Sequence, residues 1–240
     1  MKAAPAIRTR ILPAAAAVAV VAALAGGGWY GWRELAARPI ARVGFGGDLV
    51  RIAPADLEAF AKSLRGAPAG SVSLASVRQA ARAIPWVRDA AVRRRFPDGI
   101  EVRFEAHEPL ARWGKSDLVS VRGEVFAAPF DGKLPRFAGP DGSAPQMAEE
   151  YAALSRIAAP LASPVAEVHL SARGAWQLVL DSGLTLELGR GEIHPRLERF
   201  VAAWPGLVAR GVRTTHADLR YANGFALRRA AEPIPPAKKK

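Results

Sequence analysis

The stretch IPWVRDAAVRRRFPDGIEVRFEAHEP, Ile84 to Pro109, decides the fold of this chain. In its second half Ile100, Val102, Phe104 and Ala106 alternate with Glu101, Arg103 and Glu105. That is the period of a strand with one buried and one salted face. Upstream, Ala90, Val92 and Phe96 share one face, while Arg93 and Arg95 share the other, opposite the carboxylates of the following strand. Between them Pro97-Asp98-Gly99 reads as a hairpin turn. Pro fixes φ, Asp bonds back to the backbone, and Gly permits a positive φ. The run Arg93-Arg94-Arg95 reads as a solvated strand face, with a phosphate-binding patch as the alternative.

Three elements precede this hairpin. Ile40 to Phe45 is a short strand closed by Gly46-Gly47-Asp48. Pro54-Ala55-Asp56 opens a helix, Pro suiting the first turn and Asp the positive end of the dipole. Its apolar stripe is Leu57, Phe60, Ala61 and Leu64. Ser73 caps a second helix carrying Val77, Ala80, Ala81 and Ile84, which Pro85 ends. Trp86, just after that Pro, reads as a core plug, with a binding residue as the alternative. Strand, helix, helix, strand, strand make a compact α+β module, two helices on a three-stranded sheet, over residues 40–108.

Residues 109–230 read as an antiparallel β domain with two helices. Strands are expected at Leu110–Trp113, Leu118–Val121, Val125–Ala128, Val165–Leu170, Trp176–Leu180, Leu184–Leu188, His216–Tyr221 and Phe225–Arg229. Asp181-Ser182-Gly183 is a hairpin turn. Helices are expected from Pro145 to Ala159 and from Glu192 to Ala209, with Pro205 weakening the last turn of the second. The tail, residues 231–240, is Pro-rich and then basic and is expected to be disordered.

At the other end Ile11 to Trp32 is free of charge, about 33 Å of helix at 1.5 Å per residue. Lys2, Arg8 and Arg10 precede it, and Trp29, Tyr30 and Trp32 close it as an aromatic belt would. One reading is a single transmembrane helix, residues 11–32, behind a cytoplasmic tip, residues 1–10. The other is a cleaved signal peptide with Ala23-Leu24-Ala25 at the cleavage site. Both export the chain beyond this segment. The formal net charge is +12, of which +9 remains beyond the three basic residues before the segment, and this points to lipid headgroups or an acidic partner rather than to nucleic acid. With no Cys, thiolate metal sites and a cysteine nucleophile are excluded.

Signatures of catalysis are missing from the sequence. His107, His169, His194 and His216 lack metal-ligand spacing, and no G-x-S-x-G or S-x-x-K run occurs. Gly189-Arg190-Gly191 suits a strand-to-helix turn better than a phosphate loop. Glu149 and Glu150 are adjacent and face different directions on a helix. The chain is expected to be no enzyme, with no catalytic, cofactor-binding or metal residue and no small-molecule substrate.

Four stretches, in order, carry a resemblance to the FtsQ/DivIB family of cell-division proteins. They are Ile84 to Pro109; Leu110-Ala111-Arg112-Trp113 with Val121-x-Gly123; Trp176-Gln177-Leu178 with Leu186-x-Leu188-Gly189-Arg190; and Ala217-Asp218-Leu219-Arg220-Tyr221. The resemblance implies a POTRA domain for residues 40–108, the family's β domain for 109–230, and an uncleaved anchor. It also implies a single-pass protein of the inner membrane at the division septum, N-terminus cytoplasmic and bulk periplasmic. Its role would be to scaffold divisome proteins and, with FtsB and FtsL, to help control septal peptidoglycan synthesis. The other reading is a peptidoglycan-modifying enzyme or another envelope-assembly factor with a POTRA-like module.

Phe225 to Arg229 is the last expected strand, with nothing after it to pair its far side. Such an edge is either guarded by charge or taken by a partner strand. The resemblance implies the second, with FtsB as the strand received. The expected partner-binding residues are Tyr221, Asn223, Gly224, Phe225, Ala226, Leu227, Arg228 and Arg229. Where family members end this strand in Gly and an aromatic, this chain has Arg228 and Arg229, implying more electrostatic contacts.

Overall fold

The computed structural model describes residues 11–229, with side chains from Ala16 to Arg228. The expected cytoplasmic tip and basic tail lie outside the described residues. The chain divides into two compact units between Ala106 and His107.

The first unit opens with helix α1 (Ile11–Ala37), which continues past Trp32 through Arg33 and Glu34. Its described side chains are mostly Ala and Gly. Among the described residues no helix is long and apolar enough to cross a membrane. Then come β1 (Arg42–Gly47), α2 (Pro54–Leu64), α3 (Leu74–Ala81), β2 (Val87–Arg95) and β3 (Gly99–Ala106), in the expected order. The sheet order is β1-β3-β2, with β1 parallel and β2 antiparallel to β3. Phe60, Ala61 and Leu64 of α2 and Val77 and Ala81 of α3 are buried. Ser73 caps α3 by accepting from the Ser76 N–H at 3.4 Å. Phe45, Phe60 and Phe104 meet with ring centroids 5.7 to 6.2 Å apart, joining strand, helix and strand in one aromatic cluster.

In the hairpin, Arg93 stands across from Glu101, and both Arg93 (2.9 Å) and Arg95 (3.0 Å) bind that carboxylate. Those hydrogen bonds, Arg93's first, hold Glu101 below the usual carboxylate range. Arg94 instead donates to the Ala69 and Val72 carbonyls. The turn differs from expectation. Its three residues are Phe96, Pro97 and Asp98, so Gly99 starts β3 and lies outside the positive-φ glycines. The Asp98 carboxylate accepts from Arg42 at 2.7 Å. Phe96 is 78% exposed, because beyond Arg95 strand alternation no longer directs it inward.

The second unit holds a nine-stranded sheet. Its strands are β4 (Pro109–Trp113), β5 (Asp117–Ser120), β6 (Val125–Phe126), β7 (Arg136–Ala138), β8 (Val165–Leu170), β9 (Trp176–Leu180), β10 (Thr185–Gly189), β11 (Thr214–Asp218) and β12 (Ala226–Arg229). Helix α4 (Ala144–Ala158) leads into a 3-10 turn, Ala159–Leu161, and α5 spans Ile193–Ala209, continuing past Pro205. The order is β12-β11-β10-β9-β8-β7-β4-β5-β6. The expectation of a purely antiparallel domain is corrected. β4–β7, β7–β8 and β10–β11 are parallel pairs. Each helix is the reason for one of them: α4 carries the chain from β7 to β8, and α5 from β10 to β11. A parallel pair needs such a crossover, whereas the two-residue scale of a hairpin serves only antiparallel neighbours. Gly183, at φ +83°, closes the expected hairpin between β9 and β10. Phe137, Met147, Leu154, Leu178, Leu186, Leu197 and Phe200 form a fully buried core under α4 and α5.

Candidate partner-binding edge

β12 closes one edge of the nine-stranded sheet, and β11 is its neighbour in the ladder, with Asp218 opposite Ala226, Ala217 opposite Leu227 and His216 opposite Arg228. The strand is seated from below. Phe225, just before it, meets Phe200 of α5 edge to face at 5.3 Å and 86°. Leu227 packs on the same core, while Ala226 and Arg228 are exposed. The Thr214 hydroxyl lies 2.7 Å from the Arg228 carbonyl oxygen, so that carbonyl faces β11. Backbone direction alternates along a strand, which turns the N–H and C=O of Leu227, and then of Arg229, outward. Of the expected residues, Ala226 to Arg229 are therefore edge strand, and for Arg229 the backbone alone is described. Tyr221, 57% exposed, and Asn223 and Gly224 form the preceding turn.

The strand before it ends sooner than expected, at Asp218. Arg220 folds back on Asp218, its guanidinium donating to both carboxylate oxygens at 2.8 and 2.7 Å and its N–H at 3.1 Å. This clamp, with Arg199 donating to the Tyr221 carbonyl at 3.2 Å, fixes the turn that delivers β12. Sequence reasoning singled out none of Arg199, Thr214, Asp218 or Arg220 for this site. The D-x-R spacing was the available signal, since residues two apart in extended chain share a face.

The Arg220 hydrogen bonds hold the Asp218 carboxyl below the usual carboxylate range against the opposing effect of its burial. A carboxyl whose pKa folding lowers stabilises fully above its unfolded value, about 3.9, and loses that contribution as pH falls through the lowered one. Wild type and Asp218→Asn should therefore differ in Tm at neutral pH and converge as the pH falls through the lowered Asp218 pKa. A gap that stays constant down the titration would show that the charge contributes nothing.

In the same unit His194 pairs with Glu150 at 2.7 Å and His169 with Glu167 at 2.9 Å. Among the described residues no group of three or more His, Cys, Asp or Glu gathers to hold a metal.

Two family models match the chain. Residues 38–105 match "POTRA domain, FtsQ-type", and residues 111–220 match "Cell division protein FtsQ/DivIB, C-terminal", a span that stops before β12. Curated relatives carry the name cell division protein FtsQ. The one from Xanthomonas campestris is 34% identical over 95% of this chain and 87% of its own length. That from Burkholderia pseudomallei is 43% identical over 67% of each, and that from Neisseria gonorrhoeae 35% identical over 82% of each.

Proposed function

This chain belongs to the FtsQ/DivIB family of cell-division proteins, and from that premise we propose that it is a non-catalytic scaffold of the division septum that holds FtsB, in complex with FtsL, on the outer edge of β12. Through that complex it helps control septal peptidoglycan synthesis. The observation that carries this reading is an edge strand whose core side is fixed by Phe200 and Thr214 while backbone groups point away from the sheet. A partner strand added there gains main-chain hydrogen bonds, with side chains setting specificity. Titration of the full chain with the soluble domain of FtsB tests it. Absence of binding would overturn it.

The proposed layout is a cytoplasmic tip (1–10), an inner-membrane helix (11–32), the POTRA domain (40–108), the β domain (109–230) and a basic tail (231–240). Support for the membrane helix comes from Val18, Val20, Val21 and Leu24, all 58 to 71% exposed on α1. Apolar side chains left exposed along one helix suit contact with lipid. In sequence Ile11 and Leu12 extend the uncharged run ahead of the described side chains. Protein extracted from membranes should give an N-terminal sequence at or near Met1. A start at Gly26 would identify a cleaved signal peptide instead.

Arg228 is exposed beside the proposed partner strand, and the net charge of +9 beyond the proposed cytoplasmic tip favours an acidic partner segment. Exposed ion pairs contribute about 0.2–1 kcal/mol. Arg228→Glu should therefore weaken FtsB binding by a few-fold at low salt and by less at high salt, where charges are screened. A loss that ignores salt would mean that Arg228 acts through packing.

A further inference from the structure

The end of α1 and the tip of the β2–β3 hairpin are built into one surface. The loop after α2 runs against the end of α1, Gly70 N–H donating to the Ala36 carbonyl and Ala69 N–H to that of Arg38, both at 2.8 Å. A Cβ on Gly70 would stand 2.6 Å from that of Ala36, so only glycine allows this approach. Arg94 ties the hairpin to the same loop through the Ala69 and Val72 carbonyls. The three segments line a hollow of about 650 Å³ that includes Trp29, Trp32, Arg33, Arg95, Phe96 and Pro97. Phe96, Trp29 and Trp32 are 78, 66 and 69% exposed, an unusual grouping of large apolar side chains in water. Arg33 has no ion pair among the described residues, and Arg95, 74% exposed, shares Glu101 with Arg93.

We propose that this surface rests on the membrane: the hairpin tip dips Phe96 into the headgroup boundary beside the anchor, and Arg33 and Arg95 bind the phosphates of anionic phospholipids. The inference rests on the proposed inner-membrane helix, whose aromatic end it continues. Aromatic side chains favour the interfacial level of a bilayer, and basic residues beside them gain from negative headgroups. The N-terminal unit then lies down on lipid rather than swinging on its tether, because the backbone bonds between α1 and the loop leave no free linker.

The chain contains no Cys, so Phe96→Cys gives a single labelling site for an apolar fluorophore. Val50→Cys, at a position 99% exposed, is the control. β1 pairs Arg42 with Gly99 and Gly47 with Phe104, so Val50 lies beyond the sheet end opposite the hairpin tip. The full chain is reconstituted in phosphatidylcholine vesicles with or without phosphatidylglycerol, and alkaline extraction confirms insertion. The probe at residue 96 should be quenched by lipids brominated on their chains and shielded from aqueous iodide, more so with phosphatidylglycerol. The probe at residue 50 should behave in the opposite way. Arg33→Glu combined with Arg95→Glu should erase the phosphatidylglycerol dependence; if it persists, the headgroup role is overturned. Equal iodide access at both sites overturns the docking and leaves the anchor standing. Shielding without bromolipid quenching would identify a protein contact and equally overturn it. Release by alkaline extraction would overturn the anchor and the docking together.

Discussion

Leu227→Pro should lower the affinity of the full chain for the soluble domain of FtsB at least tenfold while leaving the C-terminal unit folded. Leu227 turns its N–H away from β11, and proline is tolerated in an edge strand where the missing donor faced solvent. With a partner strand in place that donor is needed. Its loss removes a hydrogen bond of about 0.5–1.5 kcal/mol and strands a partner carbonyl at about 1–3 kcal/mol more. Together these predict a loss between about tenfold and about two thousandfold. Leu227→Ala isolates the contribution of the side chain, which packs half-buried on the core. Ala226→Pro should behave differently. Ala226 stands opposite Asp218 and, by the same alternation, faces β11, so proline there loosens β12 from its own sheet and lowers Tm as well. Full affinity in Leu227→Pro would place the FtsB site elsewhere.

The contrast between those two positions shows where sequence stops informing the site. That β12 lies at an edge agrees with the reading of Phe225 to Arg229 as a strand followed by a Pro-rich and then basic stretch. Which residues turn their backbone outward depends on Thr214 and on the irregularity in the β11–β12 ladder between Thr214 and His216, a tertiary arrangement with no local signature. The same division runs through the fold. Helices α2 to α5 and the hairpins at Pro97 and Gly183 follow from periodicity and turn chemistry over a few residues. β7 does not. Three residues between Pro135 and Gly139 show no period, yet they form parallel pairs with both β4 and β8. Pairing between distant segments is decided by crossover geometry rather than by the pattern within either strand. Ala217-Asp218-Leu219-Arg220-Tyr221 misled for a related reason. Its alternation suits a strand, but Arg220 bonds back to Asp218 and begins a turn instead.

Trp86→Ala should destabilise the N-terminal unit by about 3–5 kcal/mol, the range for removing a buried large aromatic. The side chain is 6% exposed, with the Arg51 guanidinium 5.2 Å from the ring centre. Its backbone adds a second, sharper test. Trp86 sits at φ +71°, where a bulky residue is rare and strained by about 1–3 kcal/mol. The residue lies in the turn from α3 into β2, and the packing of the buried ring offsets that strain. Alanine loses the ring and keeps most of the backbone strain. Glycine loses the ring and releases the strain. Trp86→Gly is therefore expected to be at least as stable as Trp86→Ala, the reverse of the order found where φ is negative. Amide hydrogen exchange across β2 and β3 reads the stability of this unit in the intact chain. An alanine variant that protects these amides as well as the wild type would show that the ring contributes little to the core. A glycine variant clearly weaker than alanine would show that the backbone at Trp86 is not strained.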